Sequence, residues 1–242
     1  MRLHKTLFLI LFSFCIIGNG YAETADEKFE RAAYLHANGD YAQAFPIWQE
    51  LAQQGMAQAQ YNLGVMYDNG LSVKQDYQQA FQWYQKAAEQ GYANAQSNLG
   101  VLYASGQGVP RDDQQAFQWI KKAAEQGYAA AQYNIGAMYA DGQGVTQDYQ
   151  QAFQWYQKAA QQGYAMAQHN IGVMYYAGRG INKDYQQAFQ WFEKAAQQNY
   201  VDSQYNLGIM YKNGRGVEKD VQQSEQWFRR ACANGYQKAC TK

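Results

Sequence analysis

Five asparagines recur at steps of 36 residues: Asn62, Asn98, Asn134, Asn170 and Asn206. A primary amide both donates and accepts hydrogen bonds, so a row of them suits an extended chain whose peptide groups need partners. The residues just before them are Tyr61, Ser97, Tyr133, His169 and Tyr205, and aromatic rings interleaved with amides also suit stacking on sugar rings. The competing reading is that each Asn bonds a neighbouring helix and only holds the protein together, because periodic polar groups can be packing devices. Catalytic chemistry is poorly provided for. His4 lies in a leader described below, His36 is isolated, and His169 reads as a surface variant at a position held by Tyr in sister units. No G-x-S-x-G, no H-E-x-x-H and no phosphate-cradling glycine loop ahead of a suitable helix occurs. No catalytic residue, cofactor or metal site is assigned, and the chain reads as a non-enzyme.

Residues 1–22, MRLHKTLFLILFSFCIIGNGYA, have the form of a secretory signal peptide. Arg2 and Lys5 make a basic front, Leu7–Ile17 an apolar stretch, and Gly20-Tyr21-Ala22 a small-residue end, so cleavage is expected after Ala22. The alternatives are a buried N-terminal helix or a lipid anchor on Cys15, and Phe14 stands where lipidation sites carry a small residue. A free protein of the periplasm or the extracellular space is expected. Cleavage takes the 20 basic residues to 18 against 20 acidic ones, a net charge of −2. Such a balance offers no basic field for a nucleic-acid backbone. A hydrophobic content of 47% is too high for a disordered tail. No apolar run reaches the roughly 18 residues of a membrane-spanning helix. Cleavage also removes Cys15 and leaves Cys232 and Cys240, and an even pair in an exported chain points to a disulfide. Free thiols are the alternative, and two Cys without a nearby His cannot complete a zinc site.

The elements that position these groups follow from the repeat. Blocks begin at Tyr41, Tyr77, Asp113, Tyr149 and Tyr185, with a truncated sixth at Val221. Trp83, Trp119, Trp155, Trp191 and Trp227 keep the same step, as do Gly64, Gly100, Gly136, Gly172 and Gly208. Each unit splits into two helices. One runs over 77–90, its apolar stripe including Ala80, Phe81, Trp83, Tyr84, Ala87 and Ala88, and the Trp and Phe ladders are expected in the core. Asp40, Asp76, Asp112, Asp148, Asp184 and Asp220 are placed as N-caps, and Gly91, Gly127, Gly163, Asn199 and Gly235 as left-handed closers. The other helix runs over 93–105, and its central Gly100 implies close approach of the paired helix at Ala116. Ser72 stands where later turns have Gly, so that turn is expected to differ. Pro46 should kink its helix or delay its start.

The string L-G-x-x-Y-x-x-G-x-G-V-x-x-D and the later W-x-x-K-A-A-x-x-G closely resemble the Sel-1-like repeat family, the 36-residue relative of the tetratricopeptide repeat. The resemblance covers 57–236 as units 57–92, 93–128, 129–164, 165–200 and 201–236. Ahead of them, Ala32-Ala33-Tyr34 and Gly39–Phe45 look like a first tetratricopeptide-style pair within 23–56, and 237–242 forms a C-terminal cap. The implied fold is all-α, a right-handed superhelical solenoid of about six helix pairs. By the same resemblance the C-x7-C spacing of Cys232 and Cys240 matches that of cysteine-rich relatives with disulfides. The Asn row, with Tyr61, Tyr133, His169 and Tyr205, would lie on the concave face and bind a peptide backbone or terminal carboxylate. Adjacent helices about 10 Å apart give six pairs a groove of some 50 Å, room for about 15 extended residues. The expected partner is a protein or extended peptide, in a cell-envelope or host-interaction role. An envelope glycan such as peptidoglycan is the alternative, and β-lactam binding or hydrolysis, as in some cysteine-rich relatives, a second. The second lacks a Ser-x-x-Lys here.

Overall fold

A computed structural model describes residues 23–241; the leader expected at 1–22 lies outside the described residues, as does Lys242. Among the described residues the chain forms twelve α-helices in consecutive pairs and one terminal 3-10 turn, Gln237–Ala239. The first pair is α1 (Ala25–Ala37) and α2 (Tyr41–Gln53). Five more follow: α3 (Ala57–Asn69) with α4 (Tyr77–Glu89), α5 (Ala93–Ser105) with α6 (Asp113–Glu125), α7 (Ala129–Asp141) with α8 (Tyr149–Gln161), α9 (Ala165–Ala177) with α10 (Tyr185–Gln197), and α11 (Val201–Asn213) with α12 (Val221–Ala233). The architecture is an all-α solenoid.

Local chemistry sets the helix ends. Asp76, Asp112, Asp148 and Asp184 each accept the backbone N–H groups two and three residues on, and Asp220 accepts from Gln223. Asp40 departs from the expectation: it makes no side-chain cap. It sits in the short turn between α1 and α2 at φ −79° and ψ 54°, away from the extended conformation of the others. Asn199 takes the left-handed conformation at φ 63°, like the glycines it replaces. Ser72 adopts φ 64° beside φ 73° for Gly108, so this turn keeps the shape of the others, with Ser72 exposed. Helix α2 starts at Tyr41 and continues through Pro46, so proline does not delay it.

Alanine and glycine bring the helices together. Ala80, Ala87 and Ala95 are fully buried, as are their counterparts along the stack. The mid-helix glycines meet a large side chain of the partner helix. A Cβ on Gly136 would lie 2.8 Å from the Tyr156 ring and 3.3 Å from the Ala152 carbonyl oxygen. At Gly100 the Ala116 carbonyl would be 3.0 Å away, as the sequence implies, with Ile120 closer still.

Between repeats, a ladder of glutamines carries the junction. Gln96 in α5 is 5% exposed and donates Nε2 to the Ala88 carbonyl of α4 at 3.1 Å. Its Oε1 accepts from Nε2 of Gln126, the cap of α6, at 2.8 Å, and Gln126 also donates to the Gly91 carbonyl. The same rung recurs as Ala52–Gln60–Gln90, Ala124–Gln132–Gln162, Ala160–Gln168–Gln198 and Ala196–Gln204–Asn234. Each buried amide therefore satisfies a late carbonyl of the preceding repeat and accepts from the residue that closes the second helix of its own repeat. At the end of the chain the two places that bond as Ala88 and Gln96 are Cys232 and Cys240, joined as a disulfide with Cα atoms 5.0 Å apart.

The tryptophan ladder of the 36-residue repeat is not core, contrary to the expectation. Trp83, Trp119, Trp155, Trp191 and Trp227 are half-buried against the buried clusters. Each carries a cation three residues on, from Lys158 at 3.8 Å to Arg230 at 4.8 Å from the ring centre. One indole face seals a repeat junction and the other keeps a hydrated cation. Of the phenylalanines, Phe81, Phe153 and Phe189 are also half-buried, each edge-on to a tyrosine of the helix that follows.

Replacing Gly136 by Ala separates propensity from packing. Helix propensity alone favours Ala by about 1 kcal/mol, whereas overpacking a filled contact costs about 1–3 kcal/mol. Urea denaturation of Gly136→Ala should show a net loss of stability, and a gain would mean that α7 and α8 are not in contact there.

Candidate functional site: pockets at the repeat junctions

The five asparagines lie on the odd-numbered helices, and all are half-buried. Two of them line cavities between repeats. One, of about 240 Å³, is bounded by Tyr133, Ala137, Ala140 and Asp141 of α7, Tyr149 and Tyr156 of α8, Asn170, Val173 and Met174 of α9, and Arg179. The next, of about 230 Å³, is bounded by Val173, Tyr176 and Ala177 of α9, Phe192 of α10, and Asn206 and Ile209 of α11. Every residue of the second stands 36 positions after a residue of the first, and Val173 belongs to both. The pockets are therefore one structural position seen at two successive junctions. The residue on the even-numbered helix distinguishes them: Tyr156 with Asp141 and Arg179 makes the first polar, while Phe192 makes the second apolar.

That same position also sets which Asn has a phenol of the even-numbered helix beside it. Asn98 lies beside the phenols of Tyr61 and Tyr84, and Asn170 beside those of Tyr133 and Tyr156. Burial pushes all four phenols up, against which the amide contact pulls down. Tyr84 also donates to Asp68 at 3.0 Å, and burial raises the Asp68 carboxyl. Asn134 and Asn206 belong to junctions where Ile120 and Phe192 replace that second tyrosine, so the phenol of the even-numbered helix is missing there. Asn62 belongs to the first junction, where the corresponding residue is the buried Trp48. The Asn row thus meets phenols at two junctions, while the polar link that recurs at every junction is the glutamine rung.

The aromatic row is packed rather than free. Tyr61 lies against Tyr84 and Tyr92, Tyr133 against Tyr156 and Tyr164, and Tyr205 against Phe228 and Tyr236, with centroids 4.7–5.8 Å apart. His169 is not the surface variant its isolation implies. Its ring is half-buried between Phe192 and Tyr200, and its Nδ1 lies 2.8 Å from Ser203 Oγ. Burial depresses its pKa to about 4, so it is neutral at pH 7. The sequence signal for this placement was the Tyr it replaces, an aromatic of the same packing position. Cys232 and Cys240 are brought together at the C-terminal edge, beside buried Ala239. Among the described residues no group of three metal-ligating side chains occurs, and no helix is long and apolar enough to cross a membrane.

Five consecutive segments, residues 57–92, 93–128, 129–164, 165–200 and 201–236, match the Sel1 repeat family. The crystal structure of a protective antigen present in uropathogenic Escherichia coli strains, displaying an SLR fold, is 38% identical with a TM-score of 0.84. The match covers 90% of this chain and 47% of that one, so the chain spans about half the length of that antigen. A Sel1 repeat protein from Oxalobacter formigenes is 34% identical with a TM-score of 0.83, over 90% of this chain and 85% of that one. An immunity protein from Pseudomonas aeruginosa, 18% identical with a TM-score of 0.55 over 93% and 84% of the two chains, shares the fold alone. No curated protein matches the chain. Five contiguous repeats and two relatives above 30% identity, built from the same stacked helix pairs, place the conclusion beyond the fold: the chain belongs to the Sel1 repeat family.

Proposed function

We propose that this Sel1 repeat scaffold is an exported protein that binds an extended peptide segment of a partner protein along its concave face, in a cell-envelope or host-interaction role. The observation that carries the reading is the recurrence of one pocket at successive junctions, each with an asparagine in its wall. A backbone laid across the junctions meets one amide per repeat, and the pockets receive side chains of differing chemistry. Affinity then comes from many modest contacts, and selectivity from what stands at positions such as Tyr156 and Phe192. The groove is suited to holding rather than to catalysis, since burial makes its Tyr84 and Tyr156 phenols weaker acids. An envelope glycan would need free ring faces, and Tyr61, Tyr133 and Tyr205 spend theirs on neighbouring rings.

Asn134 and Asn206 are the residues on which to test the reading, because the even-numbered helix offers them no phenol. A partner captured by the chain from residue 23 onward is mapped to a peptide and titrated against Asn134→Ala/Asn206→Ala. Affinity should fall by about tenfold, the loss of one to two net hydrogen bonds, while thermal stability stays near that of the parent. Unchanged affinity with an intact fold would remove the amides from the binding surface.

Export has its own test. Resemblance of the leader to a signal peptide and of the chain to a protective antigen both support it. Expression of the full chain in a bacterium should yield, in the periplasm or medium, a protein whose intact mass begins at Glu23. A cytoplasmic product that retains residues 1–22 would contradict it.

A further inference from the structure

The loop edge beside the pockets changes its charge along the stack. In the second repeat Arg111 donates Nε and Nη2 to the Asp113 carboxylate at 3.0 and 2.9 Å. Gln143, from the following repeat, donates Nε2 to the same carboxylate at 3.0 Å. The chain itself supplies the negative charge on which two donors converge. Two repeats further on, the same three places hold Lys183, Tyr185 and Arg215. The carboxylate is gone, and both donor places now carry a cation.

These cations gather on aromatic rings instead of on an acid. Lys183 Nζ lies 5.0 Å from the Tyr185 ring centre, and Arg215 Cζ lies 5.6 Å from the rings of both Tyr185 and Tyr176. Arg215 also donates to the Tyr176 hydroxyl. Among the described residues neither cation forms a salt bridge. The nearby Asp184 is occupied as the cap of α10, accepting from Gln186 and Gln187. Tyr176 is shared: it flanks the cations and walls the apolar pocket that contains Phe192. A carboxylate held by Lys183 and Arg215 would therefore sit next to a side chain entering that pocket.

We propose that Lys183 and Arg215 bind a carboxylate of an acidic segment in the partner, taking the place that Asp113 fills internally, while an adjacent apolar side chain occupies the Phe192 pocket. This rests on the peptide-groove reading above and adds to it the composition of the segment and its position at the C-terminal half of the groove. Ion pairs of this kind, at the rim of a groove, set partner choice and salt dependence.

The test uses fluorescein-labelled 12-residue peptides with leucine at the centre: one flanked by glutamates, one by glutamines and one by lysines. Anisotropy titrations against the chain from residue 23 onward should rank glutamate above glutamine above lysine, with the glutamate advantage about tenfold and shrinking as salt rises. Lys183→Gln/Arg215→Gln should abolish that advantage and leave the glutamine peptide unaffected, and Phe192→Asp should weaken both. Equal binding of the glutamate and glutamine peptides, still weakened by Asn134→Ala/Asn206→Ala, would overturn this inference while the groove reading stands. Binding of none of the three would overturn the inference, and an unchanged partner affinity in the double Asn variant would separately overturn the groove.

Discussion

The glutamine rung between repeats is the interaction on which the rest of the structure depends. A single 36-residue unit cannot bury its own apolar face, so the fold exists only as far as its junctions hold. At each junction a buried amide donates to a late carbonyl of one helix and accepts from the cap of another, as Gln96 does between Ala88 and Gln126. A buried polar group costs stability unless satisfied, so the rung both stabilises the junction and rejects other registers. After α12 the rung takes another form. There the equivalent positions are Cys232 and Cys240, and a covalent bond stands where hydrogen bonds stood before. A short closed loop of this kind contributes about 2–3 kcal/mol, which suits a C-terminal segment with only one 3-10 turn of its own.

With a glutamine rung holding each junction, the pockets at the junctions are left for other chemistry. Glycines at the centre of the odd-numbered helices admit the ring or branched side chain of the paired helix, which in turn forms the wall of the junction pocket. One residue position thus serves packing and recognition together. Tyr156 there puts a phenol beside the amide of Asn170 in a polar pocket, and Phe192 gives an apolar one. The repeats stay alike where they touch one another and differ where the cavities open.

The architecture was legible in the sequence to a fine grain. The 36-residue period gave helix α5 its limits, the Asp caps fell where expected with Asp40 excepted, and Asn199 closes its helix as glycine does. The cysteine pairing agreed as well. What stayed hidden was which periodic amide does the linking. Glutamine is abundant on exposed faces such as Gln78 and Gln82, and nothing in composition separates those from Gln96 or Gln132, whereas the rarer Asn row stands out. The tryptophan ladder misled for a related reason: spacing shows that a residue faces a neighbour, but not that a lysine one turn on covers its outer face. His169 looked superficial because a lone histidine among tyrosines resembles a drifted surface position, whereas its ring fills the tyrosine's packing place.

The division of labour between the two amide rows is open to direct measurement by equilibrium denaturation of two single variants. Gln132→Met keeps the volume and removes the rung, and should cost about 1–2 kcal/mol. Asn134→Ala, at a junction without the second phenol, should stay within about 0.5 kcal/mol of the parent. If Asn134→Ala proved as costly as Gln132→Met, the asparagines would be holding the stack and the groove would have no spare amides to offer.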